Sequence, residues 1–302
     1  MIDIDKILVT GGAGLVGSCV TGKHKPNSNE VNLMNFNEID SYIRNNNIEC
    51  VVHCAARVGG VKENSEKLGE FYYQNMQMNL NVFEAGRINN VKKIVSILTT
   101  CIFPANANYP LTYDQLHSGE PHESNYGYAY AKRMVEINSR AYRDQYGMDI
   151  VNIIPCNIYG PRDNYNMSSG HVIPSLIHKA YKAKLNHSPL VVWGDGSPLR
   201  EFLYSEDVGK IIDWVVNNYS SDEPLMISPD EEISIKSVAE KLIELYNIQE
   251  LIFDTSMPMG QVRKPSDNSR LKSLLDFSFT PFDDGLKKTV SWFNDNYERS
   301  RK

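Results

Sequence analysis

The sequence predicts an α/β protein: a doubly wound parallel sheet followed by a smaller C-terminal α/β domain. Three observations carry that expectation. An apolar run, Lys6-Ile-Leu-Val-Thr10, stops abruptly at glycines and enters a Gly-x-x-Gly-x-x-Gly turn. Strand-like and helix-like patterns then alternate to about residue 160, as a parallel sheet covered by helices on both faces requires. Beyond Pro161 the texture changes to polar loops, short β-like runs and amphipathic helices. At 302 residues the chain can hold two domains or one large one.

The run Thr10-Gly-Gly-Ala-Gly-Leu-Val-Gly17 follows its strand at once, the context a dinucleotide-binding Rossmann-type fold demands. Gly11 permits the tight turn, Gly14 lets the backbone approach a pyrophosphate, and Gly17 lets the next helix pack close. The pyrophosphate is expected on exposed N–H groups at that helix's N-terminus, beside Leu15 and Val16. The segment that follows is short: only residues 18–29 are available for a helix and a second strand, and Pro26 lies among them. The helix is therefore expected to be short and the strand abbreviated or absent. Asn32 and Leu33 would border the adenine.

Residues 37–46 read as helix and 49–54 as a buried strand. Ala55-Ala-Arg-Val-Gly-Gly60 is a small-residue loop at that strand's C-terminal end, where α/β sheets bind ligands. Helical spacing covers 66–89, and Ile94-Val-Ser-Ile-Leu98 runs straight into Thr99-Thr-Cys-Ile-Phe-Pro104. A polar loop leads to a helix ending near 146, then to a strand over 150–154 that stops at Pro155-Cys-Asn-Ile-Tyr-Gly-Pro161. In the second half, helices are expected over 172–185, 207–218, 235–246 and 284–297, with β-like runs at 191–193 and 202–204.

A net charge of −6 argues against a nucleic-acid surface but leaves room for a small anionic ligand held by a few local cations. Five cysteines, Cys19, Cys50, Cys54, Cys101 and Cys156, follow no metal spacing and suit a reducing compartment, so no metal and a cytoplasmic location are expected. The start, Met1-Ile-Asp-Ile-Asp-Lys6, has neither the basic nor the apolar region of a signal peptide. No apolar run approaches membrane-spanning length.

Within Tyr128-Ala-Tyr-Ala-Lys132, the first and last residues lie one helical turn apart and share a face. A phenol titrates near pH ~10, and an ammonium one turn away is expected to favour the phenolate and bring that value down. Such a couple could pass a proton to a substrate oxygen while a hydride moves on the attached carbon. Alone, the spacing is equally that of a surface lysine beside a half-buried tyrosine.

The glycine turn, the hydroxyl run at a strand end and the Tyr-x-x-x-Lys helix together resemble the extended short-chain dehydrogenase/reductases that act on nucleotide sugars. The match narrows with Ala55–Gly60, Thr100–Pro104, Asn157-Ile-Tyr-Gly-Pro161, Gly170-His-Val-Ile-Pro174, Trp193-Gly-Asp-Gly-Ser-Pro-Leu-Arg-Glu-Phe202, Phe279-Thr-Pro-Phe282 and the 292–297 tail. These look like the GDP-L-fucose synthase family over nearly the whole chain.

That resemblance implies two reactions in one site. The C3 and C5 positions of GDP-4-dehydro-6-deoxy-D-mannose are epimerised, and the C4 ketone is then reduced by NADPH. Carbons flanking a ketone lose protons as an enolate forms, and inversion needs a base on one face and an acid on the other. By the same resemblance, Cys101 matches the base, His171 the acid, and Tyr128 the proton donor to O4. Lys132 holds the nicotinamide ribose, and Thr99 stands at the hydroxyl position usually filled by serine. Ala55, Ala56, Pro155, Asn157 and His171 join the glycine turn and Asn32 as expected cofactor contacts. Lys179, Trp193, Arg200 and Lys264 match positions around the GDP group.

NADP follows from the resemblance; Lys23, His24 and Lys25 are the cations near enough to meet its phosphate, or else a solvated loop. Residues 1–160 would bind the cofactor, the segment near 201–220 would return to that domain, and 161–302 would mainly bind the GDP-sugar. A homodimer joined by helices near 68–89 and 127–146 is implied. The competing readings are a nucleotide-sugar 4-epimerase or dehydratase that retains NAD, and a non-catalytic nucleotide sensor.

Overall fold

The computed structural model describes residues 1–257 and 262–302. Strand β1 (Ile7–Thr10) is buried along its whole length and ends at Gly11, whose φ of +67° only glycine adopts readily. The helix expected next is one 3₁₀ turn, Gly17–Cys19. The second strand is reduced to a single parallel bridge between Leu8 and His24. Two bonds make it: Val9 N–H to the His24 carbonyl (2.8 Å) and His24 N–H to the Ile7 carbonyl (3.2 Å). Between turn and bridge, Gly22 lies flat against β1; a Cβ there would stand 2.8 Å from Val9 Cγ2 and 3.1 Å from Ile7 Cγ2. Backbone packs on β1 here, where a helix and a strand were expected.

Helix α1 (Phe36–Asn45) is capped by Asn35, whose side chain accepts the Asn37 N–H. Strand β2 (Cys50–His53) pairs in parallel with β1. The helical stretch expected over 66–89 is α3 (Leu68–Ile88); a short helix not anticipated, α2 (Val61–Glu66), precedes it, the two separated by Lys67, which leaves the helical region with ψ +37°. Strand β3 (Lys93–Ile97) gives way to a 3₁₀ turn at Thr100–Ile102. Helix α4 (Tyr126–Tyr146) stops at Gly147 in the left-handed conformation. Strands β4 (Asp149–Pro155) and β5 (Asn157–Tyr159) follow.

The second half contains α5 (Val172–Asn186), β6 (Leu190–Trp193), β7 (Leu199–Tyr204), α6 (Ser205–Asn218), β8 (Leu225–Ile227), β9 (Glu232–Ser234), α7 (Ile235–Tyr246), β10 (Leu251–Asp254), α8 (Ser269–Leu274) and α9 (Phe282–Asp295). The main sheet runs β1-β2-β3-β4-β8, all parallel. Smaller sheets pair β6 with β10, and β7 with β5 and β9. β8 and the β6–β10 pair were not anticipated, since runs of three or four residues carry little periodicity.

Three cores hold these layers. Ile39, Ile43, Val82, Phe83 and Val135 of α1, α3 and α4 bury one face of the main sheet. Val208, Ile211, Ile212 and Val215 of α6 bury the other face against Val9, Val52 and Val95. Each such side chain contributes about 1.5–3 kcal/mol on full burial, so α6, arriving from the second half, covers ground a longer helix after the glycine turn would otherwise take. The third core, with Tyr159, Tyr165, Phe202, Tyr246 and Phe293, lies in the second half. None of the described helices is long and apolar enough to cross a membrane.

Gly22→Ala is expected to lower stability by about 1–3 kcal/mol through overpacking on β1. Urea denaturation measures it, and an unchanged midpoint would show that the segment can lift off the sheet without cost.

Candidate active site

All five strands of the main sheet end at one edge, and the glycine turn lies there. Gly11 packs directly on the next strand's exit: a Cβ on it would meet the Ala55 backbone at 2.9 Å. Below the turn, Thr10 Oγ1 accepts the Ala55 N–H (3.2 Å) and contacts His53 Nδ1 (2.8 Å). His53 Nε2 meets Asn79 Oδ1 (3.0 Å), while the Asn79 amide N–H donates to the Ala131 carbonyl (3.4 Å). That chain of partners leaves Nε2–H donating and Nδ1 accepting from the Thr10 hydroxyl. Burial, then the charge on Lys132, pushes the His53 pKa down to about 3, so the ring is neutral. Sequence reasoning missed this network; its one sign was a histidine inside the buried run Cys-Val-Val-His-Cys.

The turn differs from the expected cradle in one respect. A one-turn 3₁₀ segment lacks the aligned dipoles of a full helix, so the helix N-terminus expected to receive a pyrophosphate is absent. What remains is backbone: among the described residues, the N–H groups of Leu15 and Val16 make no hydrogen bond. Of the three nearby cations, Lys23 pairs with Asp5 at 3.2 Å. His24 is held by Tyr42 and the Asp5 carbonyl. Lys25 is the one at the turn. Its stem lies on Gly12 and its ammonium donates to the carbonyls of Val20 (2.5 Å) and Ser18 (3.4 Å), which can exchange for a phosphate. Asn32 is exposed, its N–H donating to Glu38 and its side-chain Oδ1 accepting the Met34 N–H.

Tyr128 and Lys132 share the inner face of α4, both buried. The Lys132 ammonium donates to the Ile97 carbonyl at 2.8 Å, fixed to the end of β3. Burial pushes its pKa down to about 8. The expected lowering of the Tyr128 pKa is not found. Burial raises it, and the nearby Cys101 raises it further. The physical reason is that desolvation of a fully enclosed phenolate outweighs an ammonium turned toward a backbone carbonyl. The Phe71 ring stands edge-on to Tyr128, 6.4 Å between centroids, and contributes to that enclosure.

Beyond β3, Thr99 Oγ1 accepts the Cys101 N–H (3.4 Å), which leaves its own proton free to donate. Thr99 is half-buried whereas Thr100 is buried, so the accessible hydroxyl at this strand end belongs to Thr99. The half-buried Cys101 thiol acts electrostatically on Tyr128, Arg200 and Lys264. Arg200 and Lys264 also act on each other; burial lowers both pKa values. Among the described residues neither forms an ion pair with a carboxylate. Two half-buried cations that form no ion pair are chemically suited to receive an anionic group. Further along α5, the Lys179 ammonium sits 4.6 Å from the centroid of the half-exposed Trp193 ring.

His171 precedes α5 and makes no capping bond. It keeps contact with solvent, yet burial lowers its pKa and Arg301 lowers it further, so the imidazole is neutral near pH ~7. Its loop is tied to the ligand-binding edge where Gly60 N–H meets the Ser169 carbonyl at 2.6 Å. The structure thus gathers Thr99, Cys101, Tyr128, Lys132, Arg200 and Lys264. It leaves His171 at the same edge without a direct contact to Cys101 or Tyr128. Ala55 and Ala56 line the loop after β2; Pro155 ends β4, and the Asn157 amide donates to the Glu201 carbonyl (3.0 Å).

Comparison with known proteins agrees with this geometry. The profile of the NAD dependent epimerase/dehydratase family matches residues 7–228. GDP-L-fucose synthase of Dictyostelium discoideum is 44% identical over 98% of this chain and 97% of its own length. A probable GDP-L-fucose synthase of Drosophila melanogaster is 37% identical, covering 98% and 99%. The crystal structure of a GDP-L-fucose synthetase from Naegleria fowleri bound to NADP superposes with a TM-score of 0.94 at 38% identity, covering 100% of this chain and 96% of that one. The chain belongs to the NAD dependent epimerase/dehydratase family, among its GDP-L-fucose synthases.

Proposed function

We propose that the protein converts GDP-4-dehydro-6-deoxy-D-mannose to GDP-L-fucose by 3,5-epimerisation and NADPH-dependent 4-reduction. The observation that supports this reading is the half-buried thiol of Cys101 at the exit of β3, beside Thr99, whose charge acts on the buried phenol of Tyr128 and on Arg200 and Lys264. As a thiolate, Cys101 can take a proton from a carbon beside the ketone, becoming a thiol as the enolate forms. His171, as an imidazolium, returns a proton to the carbon from the opposite face and is left as the neutral imidazole. Burial keeps Tyr128 protonated, which is the form that donates to O4, and the Thr99 hydroxyl is a second donor to that oxygen. Arg200 and Lys264 take the diphosphate, and Trp193 with Lys179 takes the base.

The glycine turn fits a dinucleotide, since a side chain at Gly11 or Gly17 would collide with the Ala55 backbone or the Gly11 carbonyl and open the turn, and among the described residues the Leu15 and Val16 N–H groups make no hydrogen bond. NADPH supplies the hydride when bound. Lys132 holds its nicotinamide ribose, and Lys25 meets its additional phosphate in place of the cations of a full second strand. Residues 1–160, with α6 and β8 returning to them, form the cofactor half; 161–302 mainly hold the sugar nucleotide. The five unpaired cysteines suit the cytoplasm, and cell fractionation checks it.

The direct test is incubation with GDP-4-dehydro-6-deoxy-D-mannose and either nicotinamide cofactor, with the product identified by NMR. GDP-L-fucose and stoichiometric NADPH oxidation are expected. Lys25→Met should weaken NADPH binding about tenfold and leave NADH binding nearly unchanged. Absence of NADPH consumption, with NAD recovered from the purified protein, contradicts the proposal.

A homodimer is part of the same reading. Tyr72, Tyr73, Leu80 and Ile88 on α3 and Tyr126, Ile137 and Tyr146 on α4 are exposed on two packed helices, the composition of a helical interface. Sedimentation at micromolar concentration should give a dimer that Leu80→Glu dissociates; a wild-type monomer overturns it.

A further inference from the structure

Lys264 lies on a strap, residues 262–268, that crosses from the second half to the loop behind Cys101. Val262 accepts the Leu199 N–H at 2.9 Å, which ties the strap to the start of β7. At the other end, the Pro265 carbonyl accepts the Leu111 N–H (2.8 Å) and the Asp267 N–H donates to the Leu111 carbonyl (2.9 Å). The Asn268 amide adds a bond to the Ser228 carbonyl (2.6 Å). In the middle, Ser266 N–H donates to Glu201 Oε2 at 3.0 Å.

Glu201 is only 4% exposed and, among the described residues, forms no ion pair. Its neighbours on the sheet do not help: it faces Glu232, whose carboxylate is bound by Arg263. Burying a carboxylate is costly, and a bond from a backbone N–H offsets the cost only where that N–H is held rigidly. Burial pushes the Glu201 pKa up to about 7, and the Ser266 N–H pulls it back. Glu201 directly follows Arg200 on β7, and Ser266 stands two residues from Lys264. One carboxylate thus joins the element carrying the first cation to the element carrying the second. These cations repel each other, so something must hold their backbones in place.

We propose that Glu201 is a positioning residue for substrate binding, fixing the strap so that Lys264 stands opposite Arg200 at the diphosphate of the nucleotide sugar. This rests on the assignment of Arg200 and Lys264 to that diphosphate.

The test uses GDP as the probe and the full chain saturated with NADP, with dissociation constants measured by calorimetry. Lys264→Met should weaken GDP binding about tenfold. Glu201→Ala should weaken it by a similar factor, and should weaken it little further when Lys264 is already Met. Glu201→Gln keeps an oxygen that accepts the Ser266 N–H and should bind GDP like the wild type. NADP affinity should stay constant throughout. If Glu201→Ala does not fold, Glu201→Asp, one methylene short of Ser266, should give the same non-additive loss. Wild-type GDP affinity in both Glu201→Ala and Glu201→Asp overturns the positioning role, as does a loss that adds fully to Lys264→Met or extends equally to NADP. Wild-type affinity in Lys264→Met overturns the diphosphate assignment instead.

Discussion

Because β1, β2, β3, β4 and β8 run parallel, each releases its chain at the same edge of the sheet. Everything chemical in this molecule follows from that constraint. Gly11, Ala55, Thr99 and Pro155 stand where four successive strands end, so they share one edge although as many as 144 positions separate the first from the last. Helix α4 packs beside that edge, its Lys132 ammonium bonded to the last carbonyl of β3. That bond fixes Tyr128, one turn earlier, above the strand end that carries Cys101. A sheet of mixed direction would send half of these residues to the opposite edge.

The short connection after the glycine turn shows how much of such a fold can be removed while the edge is kept. One 3₁₀ turn and a single bridge replace a helix and a strand. The apolar face this exposes is covered from elsewhere, by α6, and Asp213 of that helix binds both the N–H and the hydroxyl of Thr21 (2.8 and 2.6 Å). The consequence reaches the binding site. Without a full helix, the turn offers free N–H groups but no aligned dipole, and Lys25 supplies the positive charge there.

Burial, rather than charge, sets the protonation of the central pair. In the sequence, Tyr128 and Lys132 are legible as neighbours because helical spacing alone brings them together. Their electrostatics were not legible, because the enclosure of the phenol depends on Phe71 and on the strand that holds the ammonium away from it. A protonated phenol suits proton donation to an alkoxide better than a phenolate would. The glycine turn, the strand ends and the truncated second strand were equally readable, since each is local. The His53–Asn79–Thr10 network and the Glu201–Ser266 bond were not. Their partners lie 26, 43 and 65 positions apart and carry no periodic signal. Helix α2 was not legible because residues 62–67 are all polar and carry no apolar period. His171 was found through family likeness alone.

The account turns on a thiol and a phenol dividing the labour within one groove. The most direct measurement follows deuterium entering C3 and C5 of the GDP keto-sugar in D₂O, alongside NADPH oxidation, in Cys101→Ala and Tyr128→Phe. With Tyr128→Phe, exchange should continue while reduction falls by roughly 10²–10⁴-fold, the usual worth of a general acid. With Cys101→Ala, exchange should fall by a similar factor while the uninverted ketone is still reduced. Wild-type exchange without the thiol, or loss of both reactions without the phenol's hydroxyl, would contradict it.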